Sequence, residues 1–232
     1  MRTIGLIGGM SWESTLLYYR IVNETVRDRL GGLHSARVML ASVDFHEIEE
    51  LQRLGDWERA GALLARCAES LQAAGAENLV LCTNTMHKVA SSIEAGVSIP
   101  LLHIADPTAK AILSTGFRTV GLLGTRFTME QDFYRQRLEQ RGLQVLTPEL
   151  QDRDTVHRVI YEELCLGQIL EPSRVQYRQV IERLVGRGAE AIILGCTEIT
   201  LLVSAVDSPV PLFDTTLLHA RAAAEWSIRT KE

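Results

Sequence analysis

The chain has 232 residues, with 29 Asp and Glu against 24 Lys and Arg, a formal charge of -5, and 46% hydrophobic against 23% charged residues. This usage is that of a globular protein and excludes collagen-like, disordered and coiled-coil classes. A mild acidic excess without any Lys/Arg cluster argues against nucleic acid or an anionic lipid surface as a partner.

In chain order, short β-rich apolar runs alternate with longer helical patterns, the signature of βα units and parallel sheet. Strands are predicted at Thr3–Ile7, Arg37–Ser42, Asn78–Leu81, Leu101–His103, Thr119–Leu123, Gln144–Leu146, Ala191–Leu194 and Val210–Phe213, with helices between them. The first strand runs into a glycine turn, Gly5 to Met10, that lacks the GxGxxG spacing and has no Lys-Ser/Thr after it, so NAD and ATP are unsupported. Such a turn can hold a small carboxylate on backbone N–H groups near Met10, or it is simply tight. Further on, Ala60, Leu63, Leu64, Cys67, Leu71 and Ala74 form a helical stripe that places Cys67 on a buried face.

Nothing in the sequence approaches the roughly 18 apolar residues of a membrane span, so a cytoplasmic protein without a membrane partner is expected. The four cysteines, Cys67, Cys82, Cys165 and Cys196, are far apart and suggest neither a zinc site nor a disulfide framework. Lysine is scarce, being confined to Lys88, Lys110 and Lys231, which leaves few places for a pyridoxal Schiff base.

The chain also repeats itself. TIGLIG at Thr3–Gly8 returns as TVGLLG at Thr119–Gly124, and each is followed by an aromatic-Tyr-Arg triplet, at Tyr18–Arg20 and Phe133–Arg135. GAENLVLC at Gly75–Cys82 returns as GAEAIILG at Gly188–Gly195, and a proline-strand-Asp-x-Thr segment occurs at Pro100–Thr108 and Pro211–Thr216. Matches in the same order predict two related halves, drawn here as 1–98 plus 208–232 and 99–207, with a cleft at their boundary. In this register Thr83 stands opposite Cys196, each just past a strand's carboxyl end, where open α/β sheets bind ligands.

Two motifs carry the chemistry. Thr83, Asn84, Thr85, Met86 and His87 open a short helix, a place suited to capping or carboxylate binding, and His87 is either a base or a supporting residue. Gly195, Cys196, Thr197 and Glu198 put a thiol at a strand-to-helix junction, where the helix dipole can lower its pKa. Cys82, inside its strand, is assigned to the core.

These motifs and the repeat resemble the aspartate/glutamate racemase family. The likeness runs from IGLIGGMSWEST at the start, through Thr83–His87, to Gly195–Glu198, and is greatest to enterobacterial broad-specificity amino-acid racemases. It implies two pseudo-symmetric flavodoxin-like α/β domains, each with a parallel four-stranded sheet, the active site in the cleft, and usually a homodimer. It also implies inversion of an amino acid's α-carbon without pyridoxal phosphate, any other cofactor or a metal. Two departures stand out: Thr83 replaces a catalytic cysteine, and Cys165 and Gln52 replace a lysine and an arginine of aspartate-specific relatives, although Arg53 is adjacent.

The expected reaction is therefore two-base proton transfer by Cys196 and Thr83 on aspartate, glutamate or a broader set of amino acids. Substrate would be held by Met10, Gln52, Asn84, Thr85, Thr197 and Glu198, with His87 behind them. Glu198 and His87 would tune the thiol and hydroxyl. The alternatives are a cysteine amidase or acyl-transfer enzyme using Cys196 with His87, and a non-catalytic amino-acid-binding protein.

Overall fold

The computed structural model describes residues 1–229 and divides into two compact units: Met1–Ile104 joined by the chain from His219 onward, and Ala105–Leu218. Lys231, noted above, and the last three positions of the expected first half lie outside the described residues.

The first unit contains β1 (Ile4–Gly8), α1 (Trp12–Leu30), β2 (Val38–Ser42), α2 (Phe45–Leu54), α3 (Trp57–Ala73), β3 (Asn78–Leu81), a 3-10 turn at Thr85–Val89, α4 (Ala90–Ala95) and β4 (Leu101–Leu102). The second contains α5 (Ala105–Ser114), β5 (Thr119–Gly124), α6 (Arg126–Glu130), α7 (Asp132–Gln140), β6 (Gln144–Leu146), α8 (Leu150–Glu162), α9 (Glu171–Gly186), β7 (Ala191–Gly195), α10 (Ile199–Leu202) and β8 (Leu212–Asp214). A last helix, α11 (Thr215–Ile228), begins in the second unit and passes into the first at His219.

Each unit holds one parallel four-stranded sheet, in the orders β2-β1-β3-β4 and β6-β5-β7-β8, so the predicted duplication and fold class are present in the structure. Parallel central strands are covered on both faces and read as continuous apolar runs, which is why β1 and β7 are buried along their whole length. Strand alternation sorts the first unit into two cores. Ile7, Leu79 and Leu81 face Leu64 and Met86 in one, while Ile4, Leu6, Val80 and Cys82 face Tyr18, Val22 and Ala220 in the other.

The expected halves were cut at the wrong strands. Their limits at 98 and 207 move to 104 and 218. The cause is the hydrogen-bond ladder: β4 pairs with β3 through Leu101 opposite Leu79, and β8 with β7 through Leu212 opposite Ile192. The prolines ahead of these edge strands are tied in as well, Leu79 N–H donating to Pro100 O at 2.8 Å and Ile192 N–H to Pro211 O at 2.9 Å. A boundary before either edge strand would leave those buried peptide groups unpaired.

Smaller differences concern ends and margins. Strand β1 starts and stops one residue later than predicted, β4 ends at Leu102, and β8 begins at Leu212. Cys67 is only half-buried at the rim of its core, because α3 turns Ala60, Leu64, Ala68 and Leu71 inward and leaves Cys67 and Leu63 on the flank.

Candidate functional site

The turn after β1 is glycine because another backbone lies against it. Gly9 has φ +93°, and a side-chain carbon there would fall 2.2 Å from the Val43 carbonyl oxygen. Its N–H donates to Thr15 Oγ1 at 2.8 Å, so one donor expected to be available for a carboxylate is committed to a side chain. The Met10 side chain is core, which confines any ligand contact to its main chain. Ser11 then caps α1, accepting from Ser14 N–H at 3.3 Å; Thr125 does the same for α6, accepting from Thr128 N–H at 3.3 Å.

Past β3 the chain turns at Thr83, which is half-buried, and continues through buried Asn84 and Thr85 into the 3-10 turn. His87 is 2% exposed, its Nδ1 2.8 Å from Thr83 O and its Nε2 3.2 Å from the N–H of Ile104. A carbonyl only accepts and an amide N–H only donates, so Nδ1 carries the proton and Nε2 the lone pair. His219 is the opposite tautomer, with Nε2 donating to Leu102 O at 2.8 Å and Nδ1 2.8 Å from the Tyr18 hydroxyl. His103 lies against His87 with ring centres 4.5 Å apart and the planes tilted by 59°. Three histidines and Tyr18 thus gather around β4.

Gln52, expected at the substrate, is buried on α2 with its amide donating to Met86 Sδ at 3.1 Å. Neighbouring Arg53 is largely exposed and lies 3.9 Å from Glu50.

Past β7, Cys196 is 8% exposed and its thiol donates to Glu198 Oε2 at 3.0 Å. Burial first, and the Glu198 carboxylate second, push this thiol well above its ordinary range, the reverse of the lowering expected from a helix end. The physical reason is local: α10 has only four residues, whereas a carboxylate stands in contact with the sulfur. Cys196 therefore rests as a thiol. Thr197 is buried beside it and accepts from Thr216 Oγ1 at 3.4 Å.

The same core holds Cys165 and fully buried Tyr177, whose hydroxyl donates to Val156 O at 3.0 Å. Buried Glu163 accepts from Arg158 at 2.8 Å and from Ser173 at 2.5 Å. Sequence reasoning missed Glu163, Tyr177, His103 and His219. The one available signal was the repeated tyrosine triplet, which marks Tyr18. Cys82 lies in the core as expected, and burial raises its thiol too.

Among the described residues no group of three or more His, Cys, Asp or Glu is placed to hold a metal ion, and no helix is long and apolar enough to cross a membrane.

The chain belongs to the Asp/Glu/hydantoin racemase family, whose sequence model matches residues 7–223. It is 60% identical to a crystal structure of a candidate Asp/Glu racemase from Yersinia pestis, over 99% of this chain and 100% of that one, with a TM-score of 0.93. An aspartate racemase homologue from Pyrococcus horikoshii OT3 is 35% identical over 99% of this chain and 100% of that one, with a TM-score of 0.85. The broad specificity amino-acid racemase RacX of Bacillus subtilis is 25% identical over 159 residues, 67% of this chain and 66% of RacX, so the match spans slightly less than two thirds of that relative.

Proposed function

We propose that this protein is a cofactor-independent amino-acid racemase that inverts the α-carbon by two-base proton transfer, with acidic amino acids or a broader set of them as substrates. The observation that carries the reading is the buried Cys196 thiol in contact with Glu198, at the place in the second unit that Thr83 occupies in the first. Family membership supports the reaction class, and the names of relatives, among them a broad-specificity racemase and glutamate racemases, support the substrate class.

Because Cys196 rests as a thiol, it becomes a base once its proton has left, and Glu198 is the acceptor in contact with it. The thiolate then takes the α-proton and returns to thiol, and the C–H bonding pair stays on the substrate as a carbanion. The Thr83 hydroxyl protonates the other face. Thr83 regains a proton from water and Glu198 gives one up, which restores the starting state and balances the cycle. Preorganised donors at Asn84, Thr85, Thr197 and the Met10 main chain would hold the carboxylate as charge develops.

A cysteine amidase would need His87 as the base for Cys196. Both His87 nitrogens are instead engaged with backbone groups, and the thiol proton is directed at Glu198. The same reading has the enzyme acting in the cytoplasm as a homodimer, which sedimentation of the purified chain would check. The decisive test is incubation of single L- and D-amino acids in deuterated water, following chirality and α-deuterium together. Inversion with deuterium incorporation supports a racemase, hydrolysis without exchange supports an amidase, and tight binding with neither supports a binding protein.

A further inference from the structure

Thr83 lies where its sheet has run out. Strand β3 pairs with β4 at Leu79 and Val80, opposite Leu101 and Leu102, and β4 itself ends at Leu102. The His87 ring takes over. It donates from Nδ1 to the Thr83 carbonyl and accepts at Nε2 from the Ile104 N–H, one donor and one acceptor on a rigid plane, as a peptide group would offer. The ring is fixed by more than these two bonds, because His103 lies against it and His219, itself held by Tyr18 and Leu102, meets it edge-on at 5.8 Å.

The corresponding place in the second unit lacks this device. There Thr200 donates its hydroxyl to Thr197 O at 2.7 Å, a bond inside its own turn, and the acid/base residue Cys196 is served directly by Glu198.

We infer that His87 is a positioning residue: in its Nδ1–H tautomer, with its ring seated against His103 and His219, it holds the Thr83 carbonyl and so sets the reach of the Thr83 hydroxyl, while Nε2 separately ties down the chain after β4. The inference rests on the proposed role of Thr83 as second acid/base. A hydroxyl is a weak acid and has to be delivered at hydrogen-bond distance from the carbanion. A misplacement of about 1 Å costs on the order of 10²-fold in rate. The Thr83 arm of the ring matters for the reaction, and the Ile104 arm for holding the chain after β4.

The two arms can be cut separately in the full chain. His87→Asn keeps a donor at the Nδ1 position for the Thr83 carbonyl and gives up the Ile104 bond. His87→Gln can still reach the Ile104 N–H and gives up the short bond to Thr83. In deuterated water His87→Gln should lower kcat for inversion by about tenfold to 10²-fold with a smaller change in KM, while His87→Asn stays within about threefold of the parent. Deuterium should still enter the α-position of recovered starting enantiomer on the Cys196 side in both variants. A merely structural role would lower exchange and inversion together.

Equal losses in the two variants, or a parallel fall of exchange and inversion in His87→Gln, would overturn the assignment. Nitrogen NMR of the parent reads the tautomer without any need for activity, and an Nε2–H signal for His87 would overturn it independently. A parent that shows the Nδ1–H signal but exchanges no α-proton would leave the His87 bonds standing as geometry and would sink both the racemase reading and the Thr83 role.

Discussion

The two units share sheet order, strand register and helix caps, yet each handles the residue past its third strand differently. In the first, the main chain of a residue with a weakly acidic hydroxyl is bonded to the His87 ring, which lies against His103. In the second, a thiol is packed into the core and given a carboxylate. Duplication supplies equivalent positions for free, but the chemistry at each is tuned by what the neighbouring side chains do with one proton. Position is inherited from the fold, and acidity from the immediate surroundings.

The largest expected effect removes the side on which the acidity rests. Cys196→Ser keeps the volume and loses the thiolate, and should lower kcat by about 10² to 10⁴-fold, the usual worth of a positioned acid or base. Thermal unfolding of the variant would show that the fold survives, and activity within a few-fold of the parent would take Cys196 out of the mechanism.

Glu198→Gln probes the same side more finely. Burial and the Glu198 carboxylate both favour the protonated thiol, so parent activity should climb as pH rises into the alkaline range. Without the carboxylate the thiol ionises more readily, so the rising limb should move to lower pH. Its plateau should fall by about tenfold because the proton acceptor is gone. A limb that does not move would separate Glu198 from the thiol. The sign also fixes stability: the folded chain holds this proton more tightly than the unfolded one. That contribution is full below the unfolded cysteine value and is lost as pH rises through the folded one.

The first unit differs from the second in another way, since Gly9 and Met10 intervene between the end of β1 and the cap at Ser11, whereas Thr125 caps α6 directly after Gly124. Gly9→Ala places a methyl against Val43 at positive φ and should cost about 1–3 kcal/mol in denaturant unfolding. A loss under about 0.5 kcal/mol would mean that the turn relaxes easily.

Much of this was legible in the residues. The repeats TIGLIG and TVGLLG gave the duplicated central strands, and the alternation of Val80, Leu81 and Cys82 put Cys82 in the core. Ladder partners were not legible, which is why Leu101–Leu102 and Leu212–Asp214 were placed in the wrong halves: periodicity marks a strand but not which edge it joins. Thiol acidity failed for a related reason. Sequence position suggests a helix end near Cys196, but α10 is too short to compete with a carboxylate that folds back two residues later. The pairing of His87 with Ile104 and of Tyr18 with His219 joins residues 17 and 201 positions apart, and no local pattern encodes such contacts.

The smallest effect should come from making the two units alike. Thr83→Cys gives the first unit the thiol that the second already has, and Thr83 is half-buried, so a sulfur fits with less strain than it would in the core. On the proposed mechanism, Cys196 with Glu198 takes a proton more readily than the Thr83 hydroxyl does. An enantiomer presenting its α-proton to Cys196 should react readily. Its mirror image waits for a hydroxyl to ionise. Initial rates should therefore be lopsided, although the equilibrium between free enantiomers stays near unity, so any bias must appear in matched changes of kcat and KM. With Cys at position 83 the slower direction gains an ionisable base, but no carboxylate equivalent to Glu198 comes with it. The expected gain is therefore below about tenfold, and the two initial rates should approach each other without becoming equal. Equal rates in the parent, or a variant whose ratio is unchanged, would mean that Thr83 does not exchange the second proton.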